Sequence, residues 1–195
     1  MKRIIKRRRA LQIMVMEFDN TKAGWRNLVG FLIILKRQIL EFENPSLIGD
    51  SLPELGATSE ELEQYSAIYA NTPFEFNEWI RQFNGWHEVY FSFSLLPLSE
   101  IKRASEAMES DVCLEVALEF EPDFDPDLLF VVGSSPDSGA RLLVSADPTD
   151  PRAYWFGDGD VETFPSFIYA FNFIVMLHQG TLEDFKSGKT KPFDF

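Results

Sequence analysis

Seven apolar residues, Trp25, Leu28, Val29, Leu32, Leu35, Ile39 and Phe42, recur at steps of three and four between Asn20 and Glu43. That spacing places them on one face of a single amphipathic helix, and a stripe of this kind has to be buried against another layer. Asn44-Pro45 stops the helix, and Pro45 to Gly56, with Pro53 and two glycines, reads as a linker.

At 195 residues the chain is the size of one domain, or of one domain with an added arm. Its 45% hydrophobic residues, 19 of the chain's residues being Phe, supply a sizeable core and exclude a disordered polymer. The single cysteine, Cys113, excludes an intramolecular disulfide framework, and with only His87 and His178 there is no Cys/His metal cluster. The expected compartment is therefore reducing, and cytoplasmic. The longest apolar run, Phe31 to Leu35, falls far short of the roughly 18 residues of a membrane span, so no membrane partner is expected.

Charge divides sharply along the chain. Residues 1–37 carry ten Lys or Arg against Glu17 and Asp19, a net of +8, which leaves residues 38–195 at −21 within a whole-chain net of −13. An acidic body of this strength repels nucleic acid and speeds encounter with a cationic partner. The basic start, Lys2 to Arg9, reads equally as a nucleic-acid or targeting tail and as an arm that folds back on the acidic body. Its short apolar continuation, Ala10 to Met16, lacks a cleavage site of small residues and makes a poor secretory signal, while Met14 and Met16 are alternative starts.

Further along, Thr58 with Glu61 forms a capping box for a short helix to about Tyr69. Thr72-Pro73-Phe74-Glu75 repeats the device, with Pro73 at the first helical position. Phe76, Trp79, Ile80 and Phe83 make the buried stripe of that second helix, which Asn84-Gly85 closes. Val89 to Leu96 alternates as one half-buried strand, and Ser99 opens a helix through about Glu109. Strands are predicted at Cys113 to Phe120, Leu128 to Val132, Arg141 to Val144 and Ala153 to Phe156, with turns at Ser134 to Gly139 and Gly157-Asp158-Gly159-Asp160. A last helix runs from Ser166 to about His178, ends at Gly180, and leaves Thr181 to Phe195 as a loose tail.

Four motifs in fixed order carry a resemblance. Pro73, Phe76, Trp79, Ile80, Asn84 and Gly85 make a Pro-initiated aromatic helix with an Asn-Gly stop, although Trp86 stands where a second glycine is usual. Leu96-Pro97-Leu98-Ser99-Glu100-Ile101 follows, then Ser138-Gly139-Ala140-Arg141-Leu142-Leu143-Val144, then Ser166-Phe167. Over roughly Thr72 to Leu177 the chain resembles the SUKH superfamily of bacterial toxin-immunity proteins and yeast cell-wall synthesis regulators. The resemblance implies an α+β fold with a central, mostly antiparallel sheet and packed helices, here with an N-terminal helical extension. The domain boundaries that follow are a basic arm, amphipathic helix and linker over 1–56, a SUKH-like domain over 57–180 and the tail over 181–195. It also implies a binding protein without catalytic residues or cofactor, whose partner is a cognate toxin. The alternative within the same fold is a scaffold that binds a partner or a second copy through the N-terminal helix.

Enzyme readings find little support in the residues. Gly133-Ser134-Ser135 lacks the second glycine of a nucleophile elbow, and there is neither a Walker A loop nor a Gly-x-Gly-x-x-Gly. Cys113 reads as a small buried hydrophobe, and His178 as a hydrogen-bonded helix-end histidine. Asp158, Asp160 and Glu162 alternate as calcium ligands do, but without the remaining parts of an EF-hand. The partner-binding candidates are Trp86, which reads equally as filling a gap in the core, and His87, both following a helix stop, with Asp123, Asp125, Asp127, Asp158 and Asp160 in acidic loops that read either as solvated connections or as a surface suited to a basic toxin.

Overall fold

In the computed structural model of the chain, residues 21–42, 49–108, 125–157 and 160–189 are described. The architecture is α+β, and among the described residues it comprises six α-helices and a seven-stranded antiparallel sheet. Helix α1 (Lys22–Leu40) is capped by Thr21, whose side chain accepts from the Gly24 amide at 3.3 Å. Helices α2 (Ser59–Gln64), α3 (Ser66–Tyr69) and α4 (Phe74–Gln82) follow, then strands β1 (Trp86–Tyr90), β2 (Phe93–Leu95) and β3 (Lys102–Arg103) and helix α5 (Ala104–Ala107). Strands β4 (Leu129–Ser134), β5 (Arg141–Ser145), β6 (Ala153–Gly157) and β7 (Asp160–Phe164) lead into helix α6 (Phe167–Lys186). The sheet order is β1-β2-β4-β5-β6-β7, and β3 also pairs with β4.

The stripe of α1 is buried in the main core. Trp25, Val29, Leu32, Leu35 and Ile39 join one cluster with Trp79 of α4 and with Phe167, Phe171 and Ile174 of α6. The Trp25 ring lies 5.5 Å from the rings of both Trp79 and Phe171 and 5.8 Å from that of Phe167, spacings at which aromatic edges and faces attract beyond their buried area. Helices α1, α4 and α6 thus cover one face of the sheet. On the opposite face Leu129, Val131, Leu143 and Phe156 pack with Ala104 and Met108. Strand β4 therefore reads as a continuous apolar run because both of its faces are covered.

Several local expectations are corrected. Val89 to Leu96 is a hairpin and not one strand, because the chain reverses at Phe91-Ser92 with Phe91 at φ 47°. The helix expected from Ser99 is broken into a 3₁₀ turn (Leu98–Glu100), β3 and α5, since Lys102 and Arg103 leave the helical path to pair with β4. Strand β7 was missed. Helix α6 runs through Gly180 to Lys186, because Leu182 and Phe185 are buried and Phe185 stacks on Phe42 at 6.0 Å, so residues 181–186 are not a loose tail. The box at Thr58 forms in full. The one at Thr72 does not: Pro73 is the cap position, the Thr72 hydroxyl bonds Tyr69 O at 3.0 Å and Asn77 Oδ1 at 2.6 Å, and Glu75 turns to α6. The strand expected at Cys113 to Phe120 lies outside the described residues.

Two of the sequence motifs meet in space. The Asn84 side-chain oxygen accepts from the Leu98 amide at 2.8 Å, and Gly85, at φ 103°, sits where a Cβ would lie 2.8 Å from Pro97 N. Asn84 serves here as a bridge between the end of α4 and the Leu-Pro-Leu turn, while Gly85 alone takes the left-handed conformation.

Candidate functional site

Of the predicted binding residues, Trp86 is overturned as a surface contact. It is 0% exposed, its ring lies in the main core, and its indole N–H donates to Ser51 O at 3.1 Å. The signal that misled was the helix stop just before it: the stretch after the stop is the first strand of the sheet, covered by the linker. His87, next in β1, turns the other way with its side chain 74% exposed, and its Nδ1 is 3.9 Å from a Glu88 carboxylate oxygen. Asp125 and Asp127 are exposed on a 3₁₀ turn (Pro126–Leu128), where the Asp125 carboxylate accepts from the Asp127 amide at 2.9 Å and Asp127 O accepts from Arg103 Nη1. Asp160 opens β7 opposite Gly157, and Asp123 and Asp158 lie outside the described residues.

Beside β1 the structure builds a cluster that sequence reasoning passed over. Two more residues of β1 than of β2 lie between the pairs Trp86↔Leu95 and Tyr90↔Phe93, and Glu88, at φ 50°, forms the irregularity. Its amide leaves the ladder and donates to Ser94 Oγ at 2.9 Å. Its carbonyl is met by Lys36, which donates to Glu88 O at 2.7 Å and to Ser51 Oγ at 3.0 Å while lying 5.4 Å from the Trp86 ring centroid. Ser51 in turn donates to His87 O. Lys36 and Ser51 therefore complete the hydrogen bonding of a strand edge that has no neighbouring strand among the described residues.

Burial of Lys36, only 2% exposed, pulls its ammonium down to about 8, against the opposing pull of the Asp50 and Glu88 carboxylates. A lysine of this kind next to a serine is the arrangement of an activated nucleophile. Here, however, the Ser51 proton is given to His87 O and the ammonium is enclosed, so the pair acts as a clasp. The signal in the sequence was Lys36 itself, four residues after Leu32 and three before Ile39 on the apolar stripe. Nearby, His178 is buried with Nδ1 2.8 Å from Ile174 O and its ring 4.8 Å from Tyr90. Burial, with a smaller push from the Lys36 charge, holds it down at about 4, so it is neutral at pH 7.

The second face of the sheet carries an open cleft of about 430 Å³, lined by His87, Ser94, Glu100, Val131, Ser135 and Arg141 among others. Of the predicted residues that are described, His87 lines it. Several of its polar groups are engaged within the chain: Arg141 Nη1 donates to Ser135 O and Ala140 O at 3.0 Å, and the Ser135 and Ser92 hydroxyls are 2.8 Å apart. Among the described residues no group of three or more His, Cys, Asp or Glu side chains is placed to hold a metal ion, and no helix is long and apolar enough to cross a membrane.

The fold thus defines an α+β protein with helices on an antiparallel sheet and a clasped strap along one edge. Compared with models of protein families and with curated proteins, the chain matches none.

Proposed function

We propose that the chain is a non-catalytic protein-binding domain that recognises a basic protein, in the role of an immunity protein that binds and neutralises a cationic, nuclease-type toxin. The observation that carries this reading is the placement of charge. Every carboxylate whose side chain is described is exposed or half-exposed, whereas the lysine in the middle of α1 is enclosed. With residues 38–195 at −21, the surface presents a field that steers and orients a cationic partner. The SUKH-like order of motifs supports the role, and two of those motifs pack against each other at Asn84 and Leu98.

The test is co-purification of the chain with the products of neighbouring reading frames at two ionic strengths, followed by assay of the partner's activity. The reading expects one basic protein, bound at about 0.15 M salt, weakened at about 1 M, and inhibited when bound. A partner that is acidic, or whose binding ignores salt, removes the electrostatic reading. The scaffold alternative draws on Phe31 and Ile34, exposed on the outer face of α1. It expects a dimer in sedimentation that a Phe31→Ser/Ile34→Ser variant abolishes.

A further inference from the structure

We infer that residues 50–55 form a preorganised docking ridge, with Leu52 and Leu55 as apolar anchors, for a basic protein surface that offers an apolar hollow. This deepens the binding reading and rests on it. Leu55 is 92% exposed and Leu52 is 55% exposed, on a segment that is tied to the body on both sides of them. Glu54 N donates to Gly85 O at 3.0 Å, Asn84 N to Leu55 O at 3.2 Å and Ala57 N to Ile80 O at 2.9 Å. Ser51 is held by Lys36 and by the Trp86 indole. Gly56 lies so close to the Arg81 carbonyl that a Cβ there would collide with it. The backbone is consequently fixed while its two leucines point to water.

That combination separates the ridge from an ordinary loop. A mobile loop would lose conformational freedom on binding, whereas this one has already lost it during folding, so apolar contact made by Leu52 and Leu55 converts more fully into affinity. Charge selects the occupant. Asp50 and Glu54, within the same six residues as the two leucines, are exposed, as is Glu60 in the helix that follows. Two cations that touch the elements holding the segment are neutralised or hidden among the described residues: Arg81 pairs with Glu78 at 2.9 Å, and Lys36 is enclosed. An apolar centre rimmed by carboxylates has the anatomy of an interface that admits a cationic partner and repels an acidic one.

The probe is a display library of random short peptides, selected on the full chain and then measured against variants by titration. Selected peptides should carry Lys or Arg flanking one or two large apolar residues. Their binding should weaken at least about tenfold in Leu52→Ser/Leu55→Ser, as for the loss of interface anchors, and should also weaken in salt. Both leucines are exposed, so the double variant should keep the wild-type melting curve. Gly56→Ala, which leaves the leucines in place but displaces the strap, should weaken the same peptides. Peptides that still bind the double variant would overturn the ridge and leave the binding reading standing. Absence of any selected peptide would also overturn it, as would self-association that the double variant abolishes, which would assign the leucines to a second copy. The co-purification experiment fails independently: if no neighbouring product binds while the ridge selects basic peptides, the toxin assignment falls and the ridge remains.

Discussion

The carboxylate of Glu75, in the first turn of α4, accepts a hydrogen bond at 3.2 Å from the amide of Ile168, 93 residues later in the first turn of α6. The residue at the cap position of α6, Ser166, makes no such bond, and its hydroxyl is buried without a partner among the described residues. One helix therefore supplies the cap of another, and the negative charge also faces the positive end of the α6 dipole. Glu75→Ala should destabilise the fold by about 1 kcal/mol, within the usual range for a lost cap. Glu75→Gln, which keeps the acceptor, should lose less. Urea unfolding of the three proteins measures the difference, and equal stability would show that the bond contributes nothing.

Acid should destabilise the chain through His178. Its pKa falls from 6.5 to about 4 on folding, chiefly by burial, so between those values the unfolded chain binds a proton that the folded chain does not. Stability from this group is fully present above pH 6.5 and is lost as pH falls toward 4, about 3 kcal/mol over the whole interval. Unfolding midpoints at pH 7 and pH 4.5 should therefore differ less in His178→Gln than in the wild type.

Lys36 gives the same sign at the other end of the scale. Folding lowers it from 10.5 to about 8, so stability rises as pH goes from 8 to 10.5, while the unfolded chain still holds the proton. The wild type should gain stability across that interval relative to Lys36→Met. At neutral pH Lys36→Met should be the less stable protein, because Glu88 O loses its donor. A histidine NMR titration of Lys36→Met adds a check: the apparent pKa of His178 should rise modestly, since burial remains.

Gly85→Ala should be costly although the side chain added is one methyl group. The position has φ 103°, and the new Cβ would meet Pro97 N at 2.8 Å. Left-handed strain and backbone collision together predict a loss on the order of 1–3 kcal/mol, whereas alanine at Gly180, inside α6 with nothing within 4 Å of the added Cβ, should gain up to about 1 kcal/mol. Thermal unfolding of both variants decides this.

Removal of residues 1–44 should unfold the chain, since Trp25, Leu32 and Ile39 occupy the main core. Trp25→Ala alone should remove about 3–5 kcal/mol. Loss of chemical-shift dispersion in the truncated protein is the expected result, and a folded monomer would contradict it.

What was legible in the sequence follows the strength of local signals. The stripe of α1, the box at Thr58 and strands β4, β5 and β6 were readable because period, caps and turn residues agreed. The β1–β2 hairpin was not, since its reversal uses Phe91, a residue type that no turn rule favours at positive φ. Helix α6 passes Gly180 because contacts of Leu182 and Phe185 outweigh a glycine's local penalty of about 1 kcal/mol. Trp86 went inside against its reading as a surface contact, and Lys36 on the apolar stripe of α1 is enclosed beside it, because the irregular strand left the Glu88 carbonyl in need of a donor.

The enclosure of Trp25 by Trp79, Phe167 and Phe171 also sets an order of events on the ribosome. The apolar face of α1 emerges early, and Trp79 follows with α4, but Phe167 and Phe171, which complete the cover, arrive only with α6. At about 5–20 residues per second that interval is on the order of ten seconds, during which a sticky helix is exposed to chaperones and to neighbouring nascent chains. Production of this protein should consequently respond to chaperone supply and to translation speed more than its final stability would suggest.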